Sequence, residues 1–272
     1  MNWLSRQFST RVIALMPVAI AINIVLGYTV QSVLKLPIYL DSIGTILVGV
    51  LAGPIAGALT GILSNLIWQY APGIGGGTIG PFAITAGVIG LLAGLWGYLG
   101  VYRSRPASGR QLILGAAIGA ALVILLVVPI LNNKAYTDPN IGGYPDWVFT
   151  AAAIIAVVAA IIVAGFIYLR KDLAGFWVAI AGVITGIVAA FVSAPISAIA
   201  FGGVTGGGTD LIVAALRQGG SDVYNASLGQ GLFSDPIDKT ITSFVVFSIL
   251  ASLPNRLIAR FPLGERTVST NS

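Results

Sequence analysis

The chain has 272 residues, 57% hydrophobic and 8% charged, with a formal net charge of +5 and a mean hydropathy of +0.95. A soluble domain carries roughly a quarter of its residues as charged groups, so water is not the solvent for most of this surface. Cysteine and histidine are both absent, which excludes disulfide frameworks, Ser-His-Asp and Cys-His nucleophiles, and the usual zinc and haem ligands.

In hydrocarbon every backbone N–H and C=O must be satisfied internally, which leaves helices or closed barrels as spanning structures. Long apolar runs, as opposed to short alternating ones, select helices. The expectation is an all-α integral membrane protein, a single transmembrane domain over 1–272. Eight apolar segments follow in chain order, at 11–34, 36–52, 55–71, 79–101, 110–131, 148–169, 173–201 and 236–253. The second and third are near the lower length limit for a span, so 36–71 forms either two short spans or one re-entrant hairpin broken at Gly53-Pro54. The first run follows Arg6 and Arg11 and lacks a small-residue cleavage site, so it reads as a retained helix and not as a signal peptide.

With the amino terminus inside, the inner loops and ends collect Arg6, Arg11, Arg103, Arg105, Arg110, Arg170, Lys171, Arg256, Arg260 and Arg266, while the outer loops keep Lys35, Lys134, Arg217 and Lys239. This asymmetry satisfies the positive-inside rule and places both termini in the cytoplasm. Asp41, Asp138, Asp146, Asp210, Asp222, Asp235 and Asp238 all fall on the outer side. Turn chemistry concentrates there too, in 72–77, 136–140 and 202–208. Trp68, Tyr70, Tyr136, Tyr144 and Trp147 flank these turns, and all but Trp68 read as an interfacial aromatic belt.

Polar residues inside apolar segments need partners. Asn23, in the middle of the first segment, reads as an interhelical hydrogen bond. Asn65, followed within one turn by Trp68 and Gln69, reads as one wall of a cavity suited to a planar heterocycle. Asp41 either caps the helix that follows it or meets a ligand. Thr78, Thr209, Asp210, Asp238 and Lys239 complete the candidate binding set, with mutual pairing of Asp238 and Lys239 as the alternative for those two. The glycine stripes 49-53-57-61 and 87-90-94-97 read as close helix packing. Neither glycine cluster, 73–80 or 202–208, follows a strand or ends in Gly-Lys-Ser/Thr, so no nucleotide loop is expected.

Asp41-Ser-Ile-Gly-Thr, then Leu-Ala-Gly53-Pro54-Ile-Ala-Gly57 and Ser64-Asn65-Leu-Ile-Trp68, resembles the second and third helices of the substrate-binding S components of energy-coupling factor (ECF) transporters. Phe201-Gly-Gly-Val-Thr-Gly-Gly-Gly-Thr-Asp210, Asp235-Pro-Ile-Asp238-Lys239-Thr-Ile-Thr, Leu253-Pro254-Asn-Arg256 and Arg260-Phe-Pro262 are similar to the closing segments of one subgroup of them. The resemblance covers roughly 11–101 and 173–262. It implies a multi-pass protein of the bacterial cytoplasmic membrane that captures a vitamin or related micronutrient at its outer face. It also implies docking on a transmembrane coupling subunit and two ABC ATPases, whose ATP hydrolysis topples the S component and presents the site inward.

Two departures stand out. Such components usually have six spans, so 110–170 reads as an inserted helical hairpin. Their coupling face is often Ala-x-x-x-Ala on helix one, whereas here Ala14 is followed by Val18, and Pro17 and Ala21 give the nearest small-residue spacing. No cofactor, metal, catalytic constellation or nucleic-acid partner is expected. The competing readings are an autonomous secondary transporter or channel, disfavoured by the expected lack of repeats and mid-span acids, and an intramembrane enzyme.

Overall fold

A computed structural model describes residues 3–74, 78–131 and 146–267. Gly75 to Gly77, Lys134, Tyr136, Asp138, Asn140 and Tyr144 lie outside the described residues, as does the side chain of Trp147. The described residues are helical with no strand among them, as expected. In chain order the helices are α1 (Trp3–Gln7), α2 (Thr10–Gly27), α3 (Ile43–Ala52), α4 (Pro54–Tyr70), α5 (Ala83–Tyr98), α6 (Arg110–Leu131), α7 (Asp146–Arg170), α8 (Ala174–Phe201), α9 (Asp210–Gln218), α10 (Val223–Ser252) and α11 (Asn255–Ile258). A π-helical turn, Tyr28–Val33, extends α2, and a 3₁₀ turn, Gly80–Phe82, opens α5. Three helical stretches are long and apolar enough to cross a membrane among the described residues, Thr10–Val33, Gly80–Tyr98 and Ala174–Phe201, and they fit a membrane protein.

The glycine stripes set the helix contacts, as their spacing anticipates. A Cβ on Gly90 of α5 would lie 2.2 Å from the carbonyl carbon of Gly57 in α4, and one on Gly94 would lie 2.1 Å from the nitrogen of Pro54. The two backbones therefore touch, and in lipid such contact supplies the packing attraction that water would otherwise drive. The α8–α10 pair uses the same device: a Cβ on Gly186 would sit 2.3 Å from the Cα of Pro236. Polar ties are added where helices cross. Asn23 Nδ2 donates to Thr45 Oγ1 at 2.8 Å and Ser64 Oγ at 2.9 Å, and Asn23 Oδ1 accepts from the Gly44 N–H at 2.7 Å. One buried amide thus joins α2, α3 and α4, the structural role expected of it. Trp96 of α5 likewise donates to Thr185 of α8 at 2.9 Å.

The α3–α4 break is built from three residues. Gly53 has a φ of 121°, Pro54 opens α4 without an N–H to satisfy, and Gln7 Oε1 accepts from Ile55 N at 2.9 Å and Ala56 N at 3.3 Å. Here the second expected segment is corrected. Helix begins at Ile43 and not at 36, so α3 has 10 residues and a length of about 15 Å, half of a hydrocarbon core. The last apolar segment is corrected in the other direction. It starts at Val223, 13 residues before 236, and α10 runs for 30 residues. The separate helix α9, with Ile212, Val213, Ala215 and Leu216 buried, lies in a stretch the span pattern leaves as loop.

The end of the bundle that holds the Gly53 break also holds the amino-terminal helix and the carboxy-terminal tail. Leu263 N donates to Leu51 O at 2.8 Å, Arg11 Nη1 to Arg260 O at 3.3 Å, and Arg266 Nη1 to Tyr98 O at 2.6 Å. Asp172 fastens the α5–α6 and α7–α8 connections together there, accepting from Ser104 Oγ at 2.6 Å, Arg105 N at 2.8 Å and Ala174 N at 2.7 Å. Burial draws the Arg105 guanidinium below its ordinary range, opposed by Asp172. At the opposite end lie the connections 34–42, 71–74 with 78–82, and 202–209.

Candidate solute-binding cavity

These three connections meet over a cavity of about 360 Å³. Gly208 packs so closely on the chain before α3 that a Cβ there would lie 2.1 Å from Lys35 O, and Thr78 Oγ1 donates to Thr205 O at 3.0 Å. The walls come from α4 (Asn65, Trp68), α5 (Thr85, Ile89), α8 (Ser193, Ser197) and α10 (Gln230, Asp235, Lys239).

The polar centre of this end is Lys239. Its Nζ donates to Asp238 Oδ2 at 2.6 Å, Ser42 Oγ at 2.8 Å and Asp41 Oδ1 at 3.3 Å. Ser42 Oγ in turn donates to Asp41 Oδ1 at 2.8 Å, and Gln31 Nε2, from the π-helical turn, donates to Asp41 Oδ2 at 3.3 Å. Asp41 is therefore a partner of the lysine and makes no capping bond to α3, which decides against its reading as a cap.

Asp238 is fully buried and does not reach the cavity. Its Oδ1 accepts from the backbone N–H groups of Tyr39 and Leu40, at 2.9 and 2.7 Å. Leu40 has a φ of 52°, a left-handed conformation that an ordinary side chain rarely adopts. The carboxylate thus takes up donors that a continuous helix through 36–42 would have satisfied, which is what non-helical backbone packed inside a helical bundle requires. So Asp238 positions the loop and pairs with Lys239, which is the alternative expected for those two residues.

Of the remaining expected site residues, Asp41, Asn65, Trp68, Thr78, Thr209, Asp210 and Lys239 all border the cavity. Trp68 is 2% exposed, and its Nε1 donates to Ile74 O at 3.0 Å. Asp210 accepts from Thr205 N, Thr205 Oγ1 and Gly206 N at 2.9, 2.9 and 2.6 Å, and so shapes the glycine loop. Gln69 is turned away from the cavity, its Oε1 accepting from Gly80 N at 2.7 Å to hold the 3₁₀ turn.

Asp235, Asp238 and Lys239 were expected on the outer side, at or before the start of the segment 236–253, and no acid was expected in mid-span. All three stand within α10, at most 5% exposed. Asp235, Gln230 and Ser193 border the cavity and went unrecognised at the sequence level. The signal was there in part: Ser227, Gln230 and Ser234 recur at three- and four-residue spacing, the mark of one helix face, and Asp235 adjoins the last of them. Tyr39, whose hydroxyl accepts from Gln230 Nε2 at 2.9 Å, adds a second aromatic wall.

The chain matches no family model, no curated protein and no solved structure. What the site does chemically is therefore argued from its own residues. They offer amide and hydroxyl groups, aromatic faces and carboxylates around the cavity, with no metal-binding group of His, Cys, Asp or Glu among the described residues.

Proposed function

We propose that this chain is the solute-capturing subunit of an ECF-type importer, an S component of the bacterial cytoplasmic membrane. In this reading it is a multi-pass protein with both termini in the cytoplasm, the short α3 and α4 together returning the chain to the side it left. It binds a vitamin-like small molecule from outside and relies on a coupling subunit and two separate ABC ATPases for energy. The observation that carries the reading is the cavity of about 360 Å³ at one end of the bundle, bordered by Asn65, Trp68, Tyr39 and Gln230. That volume and that mixture of aromatic walls with a few polar groups suit a small organic solute. Two further features support it. Both described ends of the chain meet at the other end of the bundle, as common sidedness of the termini requires. Ala14, Pro17 and Ala21 lie on an exposed face of α2, where a membrane partner has access.

Buried charges on α10 favour a second reading, an autonomous ion-coupled transporter, because intramembrane acids are the usual means of ion coupling. Reconstitution separates the two. As a coupled subunit, the purified chain in liposomes binds solute without concentrating it. Concentrative uptake by the chain alone, driven by a proton or sodium gradient, overturns the proposal in favour of the second reading.

A further inference from the structure

The charges around the cavity do not balance among themselves. Among the described residues Lys239 is the only cation bordering it, and an ammonium group has three protons to donate. All three are committed, to Asp238, Ser42 and Asp41. Asp210 spends its carboxylate on Thr205 and Gly206. Asp235 is left over. It is 5% exposed, borders the cavity, and has as its one hydrogen-bond partner among the described residues the Ser193 hydroxyl, at a marginal 3.5 Å. Lys239, four residues on in the same helix, acts on Asp235 but shares its charge with Asp238 and Asp41, so the cost of taking this carboxylate out of water is only partly offset and falls when a further cation arrives beside it.

The rest of the wall favours the same visitor. Tyr39, Trp68 and Phe82 present aromatic surface to the cavity, and aromatic faces attract cations. Lys239 already stands 5.7 Å from the centre of the Tyr39 ring. Ser227 Oγ, buried on the same helix and bordering the same space, has no partner among the described residues and is available to a polar group of the solute. Ser227 and Asp235 are eight residues apart on α10, about 12 Å along the axis. An anion would meet carboxylates with no uncommitted cation to receive it.

We infer that the solute held in this cavity is an organic cation of one- or two-ring size, with its positively charged nitrogen placed against Asp235. This rests on the solute-capturing role proposed above and names the substrate class of that site.

The test uses the full-length detergent-purified protein, immobilised and equilibrated with the dialysable fraction of a rich bacterial growth medium. Retained molecules are released and identified by mass spectrometry. Wild type is compared with Asp235→Asn and Asp235→Glu, each checked for monodispersity by gel filtration. The expected result is a retained solute that is cationic at neutral pH, depleted roughly tenfold or more by Asp235→Asn, equivalent to about 1.4 kcal/mol, and recovered in part by Asp235→Glu. A neutral or anionic solute retained by wild type overturns the inference and leaves the capture role standing. That readout needs no variant to fold. A cationic solute retained equally by Asp235→Asn also overturns it, since Asp235 is then not the counter-ion. Wild-type protein that retains nothing counts against the capture role and the inference together.

Discussion

The Asp238 carboxylate accepts a hydrogen bond from the backbone N–H of Leu40 at 2.7 Å across 198 residues of chain, and its other oxygen holds the neighbouring Lys239 at 2.6 Å. Removing one partner of a buried pair leaves the other charge uncompensated, at a cost of about 3 to 5 kcal/mol. Asp238→Ala is therefore expected to lower the thermal stability of the detergent-solubilised protein strongly, and to do so more than Asp41→Ala, whose bond to Lys239 is longer at 3.3 Å. Thermal unfolding of the two variants side by side checks the order.

Asn23 makes three hydrogen bonds to three groups that have no water to turn to. Its replacement by Leu strands the Gly44 N–H, at a cost of about 1 to 3 kcal/mol. Asn23 does not border the cavity. The expected outcome is a lower melting temperature with unchanged solute affinity, measured by unfolding and by calorimetry on the same preparation.

Close packing predicts a contrast between two glycines on different helices. Gly90→Ala places a methyl group against the Gly57 backbone and is expected to destabilise by about 1 to 3 kcal/mol or more. Gly165→Ala on α7 meets nothing within 4 Å and gains helix propensity of up to about 1 kcal/mol. Equal melting temperatures for the two variants contradict this account of the stripe.

These contrasts show what was legible in the sequence. Spacing alone exposed the 49-53-57-61 and 87-90-94-97 faces, because small residues recurring three or four positions apart let helices approach closely in lipid. Asn23 was legible for a similar reason, as a lone amide among apolar neighbours. The start of α10 was not. Residues 223–235 include Asn225, Ser227, Gln230, Ser234 and Asp235, and a search for apolar runs stops where a helix turns a polar face to a cavity. The chain over 36–42 misled in the opposite sense. Leu36, Pro37, Ile38 and Leu40 look like a span, and only the distant Asp238 carboxylate makes an open conformation affordable there.

Asn65 borders the cavity, and no described group bonds its side-chain amide. Asn65→Ala is expected to weaken solute binding by roughly tenfold, as loss of one buried ligand hydrogen bond implies. Trp68→Ala is the less clean experiment, because Trp68 also lies so close beneath α2 that a Cβ on Gly27 would fall 2.7 Å from its ring. Titration calorimetry with the solute recovered from the retention experiment gives the answer for both. Full affinity in Asn65→Ala removes that amide from the binding set.

The proposed sidedness yields a labelling pattern. Ser5, Gln218 and Glu265 are all exposed. Cysteines introduced singly into this cysteine-free chain at Ser5 and Glu265 are expected to resist an impermeant thiol reagent in intact cells, while one at Gln218 reacts. Labelling of Ser5→Cys without lysis reverses the orientation.

The bond between Asp238 and the chain before α3 also sets an order of assembly. Segments leave the ribosome amino-terminal end first, so Tyr39 and Leu40 enter the bilayer long before the carboxylate that will receive their N–H groups has been made. Until α10 arrives, the Tyr39 and Leu40 N–H groups have no carboxylate to bond, and Lys239, the other half of the arrangement, does not yet exist. The cavity is therefore completed only once α10 has been made, and a nascent chain halted before α10 contains most of its walls but not the residues that lock them together.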